Sequence, residues 1–281
     1  MLNNIMIMVG GAYQTWSVMP YIQQMSSKFA RELHFVGLCQ ESEQINNSEL
    51  KDLLDKLVDV IEQKEVLIKK EIIYGNSAEE IPRYIESNHI NMVVASTGNF
   101  NKITQSLIGI TIEGTGRGVS VPFLMVPAGQ IETNQIKKVS FQRILVPLDA
   151  SEIGEKALPY AEYIARKMGS FVSLIYVVKP PVRGVPVMHK EVIDMSRVVG
   201  KDYIEQMSEV LKKRGTPVGN TIAEGDPAKA ILKCAKEEQV DLIVMCTSGL
   251  GGLLNWVFGS VTKKVLDRTK VPALIMRYTH N

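Results

Sequence analysis

RILVPLDASEIGEKALPYAEYIARKMGSFVSLIYVV, residues 143–178, decides the architecture. Residues 143–149 are a continuous apolar run of strand length, 155–168 space their apolar side chains as a helix and stop at Gly169, and 171–178 form a second apolar run. A strand, a helix and a strand in that order make a parallel crossover unit, and strands apolar on both faces need cover on both sides. Downstream the alternation continues with a helix over 197–214 ending at Gly215, a strand over 217–224 and a helix over 228–238. A strand over 241–246, a helix over 260–269 and a last strand over 271–277 complete the series. Right-handed crossovers wind such a chain into a doubly wound parallel sheet.

The same pattern occurs twice. At a shift of 139, Ile5 to Gly10 lie over Ile144 to Asp149, Pro20-Tyr21 over Pro159-Tyr160, and 33–39 over 172–178. Further along the shift is 150: Gly75 to Ala78 lie over Gly225 to Ala228, 91–94 over 241–244, Gly109 over Gly259, and Val121-Pro122 over Val271-Pro272. Two constant shifts spanning both halves identify an internal repeat. Their difference of 11 residues is an insertion in the second copy, expected over 179–199, where Pro180, Pro181, Gly184 and Pro186 mark a loop. The chain therefore reads as two tandem Rossmann-like α/β domains, 1–128 and 141–281, joined by a polar linker over 129–140.

Composition narrows the partners. The chain has 281 residues, 45% hydrophobic and 22% charged, with 32 basic against 30 acidic side chains. That balance gives no electrostatic footprint for nucleic acid or an anionic membrane. No run reaches the roughly 18 apolar residues of a spanning helix, and the first residues lack the basic start of a signal peptide. Cys39, Cys234 and Cys246 are odd in number, without CxxC spacing, so the expectation is a reducing cytoplasm with neither a disulfide framework nor a zinc site.

Ligands of open α/β sheets bind beyond the carboxyl ends of the strands. In the second copy those ends carry Pro147 to Asp149, Val177 and Val178, Gly225 to Pro227, and the segment CTSGLGGLLNWVFGSVTKKVL from Cys246 onward. Glycines between a strand and a helix let the backbone approach an anion, and Ser260 offers a hydroxyl there.

On these residues the second copy resembles the universal stress protein family, whose nucleotide-binding members carry G-x2-G-x9-G-[ST] after the fourth strand. Gly249, nine intervening residues and Gly259-Ser260 match the last three elements, while Cys246 stands at the first glycine. Pro147-Leu148-Asp149 at the end of the first strand, Gly225-Asp226-Pro227 before the third helix, and SVTKKVLDRTKVPALIMR at the end are also similar to the family. The resemblance implies an adenine-nucleotide α-hydrolase-like fold and a bound ATP, with or without magnesium. It implies that Asp149 takes the adenine or lies beside it and that Val177 meets the base through its backbone. Gly249, Gly259 and Ser260 then hold the phosphates, with Cys246 near the ribose. It also implies a pseudo-dimer within the chain, with 123–126 paired to 273–276, and leaves a homo-oligomer open.

The first copy has lost this set. Met8 and Gly10 stand for Pro147 and Asp149, Ser96 and Asn99 for Cys246 and Gly249, and Ile110 for Ser260, although Gly109 matches Gly259. Plainer roles stay open. Asp149 or Ser151 can cap the following helix, and Ser260 can cap its own. The glycines can be loop formers, and Cys246 an inert small side chain at the end of a buried strand. Trp256 and Phe258 read as anchors of the loop. There is no GxxxxGK[ST] loop, no GxSxG elbow and no carboxylate cluster, so the chain reads as a regulatory or stress-response binder of adenine nucleotide and not as a dedicated enzyme. The competing expectation is a nucleotide-free dimerisation scaffold.

Overall fold

Ile144, Leu145 and Val146 have no exposed surface, nor do Val172, Leu174 and Ile175 or Ile243 and Val244. Strands buried on both faces must be interior to a covered sheet, and burying each such side chain contributes about 1.5–3 kcal/mol. In the computed structural model of the chain, residues 1–10, 15–39, 47–61, 65–75, 77–97, 121–128, 139–179, 189–248 and 259–278 are described. They fall into two compact units that divide at Ser140 and Phe141.

The first unit runs β1 (Asn4–Val9), α1 (Met19–Ser26), β2 (Glu32–Cys39), α2 (Asn47–Asp59), β3 (Leu67–Tyr74), α3 (Ser77–Ser87), β4 (Met92–Ser96) and β5 (Phe123–Val126). All its strand pairs are parallel, β3 beside β2, β2 beside β1, β1 beside β4 and β4 beside β5. The second unit runs β6 (Arg143–Leu148), α4 (Glu152–Glu155), α5 (Leu158–Met168), β7 (Phe171–Val178), α6 (His189–Lys213), β8 (Val218–Glu224), α7 (Pro227–Glu237), β9 (Leu242–Ser248), α8 (Ser260–Leu266) and β10 (Ala273–Tyr278). Its order is the same: β8, β7, β6, β9, β10, all parallel. In each unit the winding direction reverses beside the first strand, and in the second that switch point lies between β6 and β9.

The two shifts read from the sequence recur in individual backbone bonds. Asn91 N donates to Asn4 O at 3.0 Å and Asp241 N to Arg143 O at 2.9 Å. Gly75 N donates to Cys39 O at 3.3 Å, and Gly225 N to Val178 O at 3.0 Å. Both of these glycines have positive φ, +99° and +118°, which a side chain rarely adopts.

Several elements differ from the sequence reading; the helix expected over 260–269, for one, ends at Leu266. The helix expected over 155–168 is two helices, because Pro159 lacks an N–H and sits in the first turn of a helix that restarts at Leu158. The helix expected over 197–214 starts earlier, at His189 within the expected insertion loop. The strand expected over 241–246 continues through Ser248. Among the described residues no helix is long and apolar enough to cross a membrane.

Candidate functional site

After Leu148 the chain must leave the sheet and enter α4 within three residues. Ala150 takes φ +60°, in the left-handed region that a residue with a Cβ seldom occupies. Ser151 is the N-cap: its hydroxyl oxygen accepts from Gly154 N at 3.0 Å. The same hydroxyl donates to Asp149 Oδ1 at 2.6 Å, and Ser151 N donates to that oxygen at 3.2 Å. Of the two capping roles left open by the sequence, Ser151 takes the cap. Asp149 is exposed and held by one oxygen; among the described residues Oδ2 accepts no hydrogen bond. Gly154 makes this arrangement fit, since a Cβ there would lie 2.8 Å from Asp149 Oδ1 and 3.3 Å from Ser151 Oγ.

Beside β6, β9 ends in Cys246, Thr247 and Ser248. Burial pushes the Cys246 thiol up to about 11. The Thr247 backbone and the Lys156 charge pull it down, and the Asp149 carboxylate adds to the rise. The thiol therefore stays protonated near neutral pH, as expected of an inert side chain and not of a nucleophile. Tyr160 is also raised, by burial first and then by Cys246. Asp149, Lys156, Tyr160 and Cys246 thus share one electrostatic neighbourhood at the ends of β6 and β9.

Thr247 ties the far side of the loop. Its Oγ1 accepts from Gly259 N at 3.1 Å, and a Cβ on Gly259 would approach that oxygen to 3.2 Å. Gly259 is the N-cap position of α8, without a side-chain cap, and Ser260 is the first helical residue. Ser260 is therefore not the cap the sequence allowed; its side chain is exposed. Gly249, Trp256 and Phe258 lie outside the described residues.

The remaining predicted positions line the same strand ends. Pro147 pairs with Ile175 and Val177 with Ala223, both partly exposed. Asp226 caps α7 through Lys229 N at 3.0 Å and meets Lys264 Nζ at 3.3 Å, so the Gly225-Asp226-Pro227 turn is accounted for by helix capping. Sequence reasoning missed Gly154, Lys156 and Thr247. It also missed two tyrosines: Tyr203 OH donates to Glu155 Oε1 at 3.1 Å, and its ring meets Tyr176 edge-on at 6.1 Å.

In the first unit two bonds join described residues at the corresponding strand ends. Thr15, which has no exposed surface, accepts from Gly10 N at 3.2 Å through Oγ1. Buried Ser17 donates to buried Ser96 at 3.0 Å. Asn99, Gly109 and Ile110 lie outside the described residues.

Comparison with known proteins follows the same division. A model of the universal stress protein family matches residues 140–277. Universal stress protein YxiE of Bacillus subtilis (strain 168) is 31% identical over 147 residues, covering 49% of this chain and 99% of the relative. Universal stress protein MJ0531 of Methanocaldococcus jannaschii is 28% identical over 140 residues, 49% of this chain and 82% of the relative. A solved universal stress protein from Archaeoglobus fulgidus DSM 4304 covers 98% of this chain and 96% of its own, with TM-score 0.67 and 19% identity, which shows the shared fold. The chain belongs to the universal stress protein family.

Proposed function

We propose that the second domain binds an adenine nucleotide, ATP foremost, and that the chain acts in the cytoplasm as a stress-response or regulatory binder and not as a dedicated catalyst. The observation that carries this reading is the Asp149 carboxylate at the switch-point end of β6, fixed through Oδ1 by Ser151 with Oδ2 left to accept. A carboxylate oxygen accepts from an exocyclic amine such as that of adenine. At the end of the neighbouring strand, Gly259 lets backbone approach a phosphate and Ser260 supplies a hydroxyl. Val177 lies at the base end and Cys246 at the sugar end, while Gly249 completes the phosphate segment by its place in the sequence. No group in this set is an activated base for water, so nucleotide is held without rapid turnover. The pairing of the last strands of the two copies within one chain belongs to the same reading and rests on their short apolar sequences. Each half expressed alone should then associate, and two well-behaved monomers at high concentration would remove that part.

Native mass spectrometry of the purified chain with ATP and magnesium tests the main reading. The expected result is a mass increment of one nucleotide per chain. A clean protein mass would favour the nucleotide-free scaffold, which the Cys246 side chain at the expected glycine position keeps in play.

A further inference from the structure

α6 packs on β7 and β8 and meets the site through two tyrosines. At Gly200 its backbone lies against the Tyr176 ring, where a Cβ would fall 2.3 Å from Cε1. Less than one turn on, Tyr203 stands edge-on to Tyr176 and donates its hydroxyl to Glu155 Oε1 at 3.1 Å. Glu155 is the last residue of α4, a single turn too short to hold its own geometry. That turn is pinned at both ends. Ser151, at its start, caps Gly154 N and holds Asp149 Oδ1; Glu155, at its end, is held by Tyr203. Between strand and turn, Ala150 keeps a left-handed conformation that persists only where the surroundings impose it.

We propose that Tyr203 is a positioning residue for base recognition: through Glu155 and α4 it sets the orientation of Asp149, and with it the preference for adenine over guanine nucleotides. This rests on the nucleotide reading above. Adenine presents an amine where guanine presents a carbonyl oxygen, so a correctly aimed carboxylate accepts from one and repels the other. A rotated carboxylate loses both effects, while the phosphate contacts at Gly259 and Ser260 stay as they are. Burial holds the Tyr203 hydroxyl well above the ordinary tyrosine range, and the Glu155 and Asp149 charges raise it further, so it remains a donor throughout the physiological range.

Calorimetry on the intact chain with ATP and with GTP tests this for the wild type, Tyr203→Phe, Glu155→Ala and the double variant. Tyr203→Phe keeps the ring on Tyr176 and removes only the hydroxyl. The ATP-to-GTP affinity ratio should fall about fivefold or more, the size of one lost hydrogen bond. Glu155→Ala should give the same fall, and the double variant no further fall. Glu155→Ala leaves the aromatic pair in place, so it carries the test if melting of the ligand-free protein shows Tyr203→Phe to be poorly folded. Equal losses for both nucleotides, or additive effects in the double variant, would overturn the inference and leave nucleotide binding standing. A wild-type chain that binds neither nucleotide removes the nucleotide reading, and this inference with it.

Discussion

The ends of β1 and β6 occupy the same place in the two units but resolve their polar groups in opposite ways. At the end of β1, Gly10 has no side chain, and the buried Thr15 hydroxyl satisfies its N–H. At the end of β6, Asp149 stands where Gly10 does, and Gly154 stands where Thr15 does, leaving the space that Asp149 Oδ1 occupies. One exchange of two positions turns a closed strand end into one with an outward carboxylate. The next pair follows suit: Ser17 and Ser96 bond to each other, whereas among the described residues no hydrogen bond joins their counterparts Lys156 and Cys246. A fold can thus be retained while its ligand end is filled by its own side chains, because the buried strands that stabilise it lie away from that end.

The sharpest way to break this contrast is at the proposed phosphate segment. Ser260→Ala should lower ATP affinity roughly ten- to a hundredfold, the loss of a hydrogen bond to a charged group. Gly109→Ala in the first copy should leave it unchanged. Calorimetry checks both, and equal losses would place the site in the wrong domain. Gly154→Ala should lower ATP affinity by about tenfold, because the new Cβ must displace the Asp149 carboxylate. The reciprocal Thr15→Gly should cost stability on melting and leave ATP affinity alone.

The first domain also carries a titratable core group at the position of Ser173 in the second. His34, fully buried, has Nε2 3.0 Å from Glu32 Oε1 and Nδ1 2.8 Å from the Tyr84 hydroxyl. Burial holds its pKa below 6.5, against a smaller opposing effect of Glu32. The unfolded chain therefore binds more protons than the folded one as pH falls below about 6.5, so stability is present above that value and lost beneath it. Glu32, lowered first by Lys69, acts in the same sense in a lower range. Thermal melts from pH 7.5 to 5.5 should show a falling midpoint that His34→Gln flattens; an unchanged slope in the variant would reassign the effect. The smallest change belongs to Cys246→Gly, which should tighten ATP binding by about threefold if the side chain crowds the sugar. Equal or weaker binding would show that it does not.

Much of this was legible in the sequence, for local reasons. Apolar runs located the strands, and the two shifts located the repeat, since both are properties of contiguous residues. The places of Asp149 after a strand and of Gly259 and Ser260 at a helix start were legible because apolar runs and glycine spacing mark them. Gly154 was not, because a glycine between Ile153 and Glu155 looks like an ordinary weak point in a helix until the Asp149 oxygen is seen beside it. Tyr203 lies 48 residues from Glu155, and only the return of α6 after β7 brings them together. Thr247 was hidden for the same reason, its partner Gly259 lying 12 residues away across the loop. The break before Pro159 carried a visible signal, proline in a first turn, which the continuing apolar period concealed.

Amide chemical-shift mapping of the isotopically labelled full chain during an ATP titration tests the central claim most directly. The account predicts that the resonances of Asp149, Val177, Gly259 and Ser260 move together and saturate, while Gly10, Thr15 and Ser96 stay in place. Movement of the first-domain set, alone or in step with the second, would contradict it.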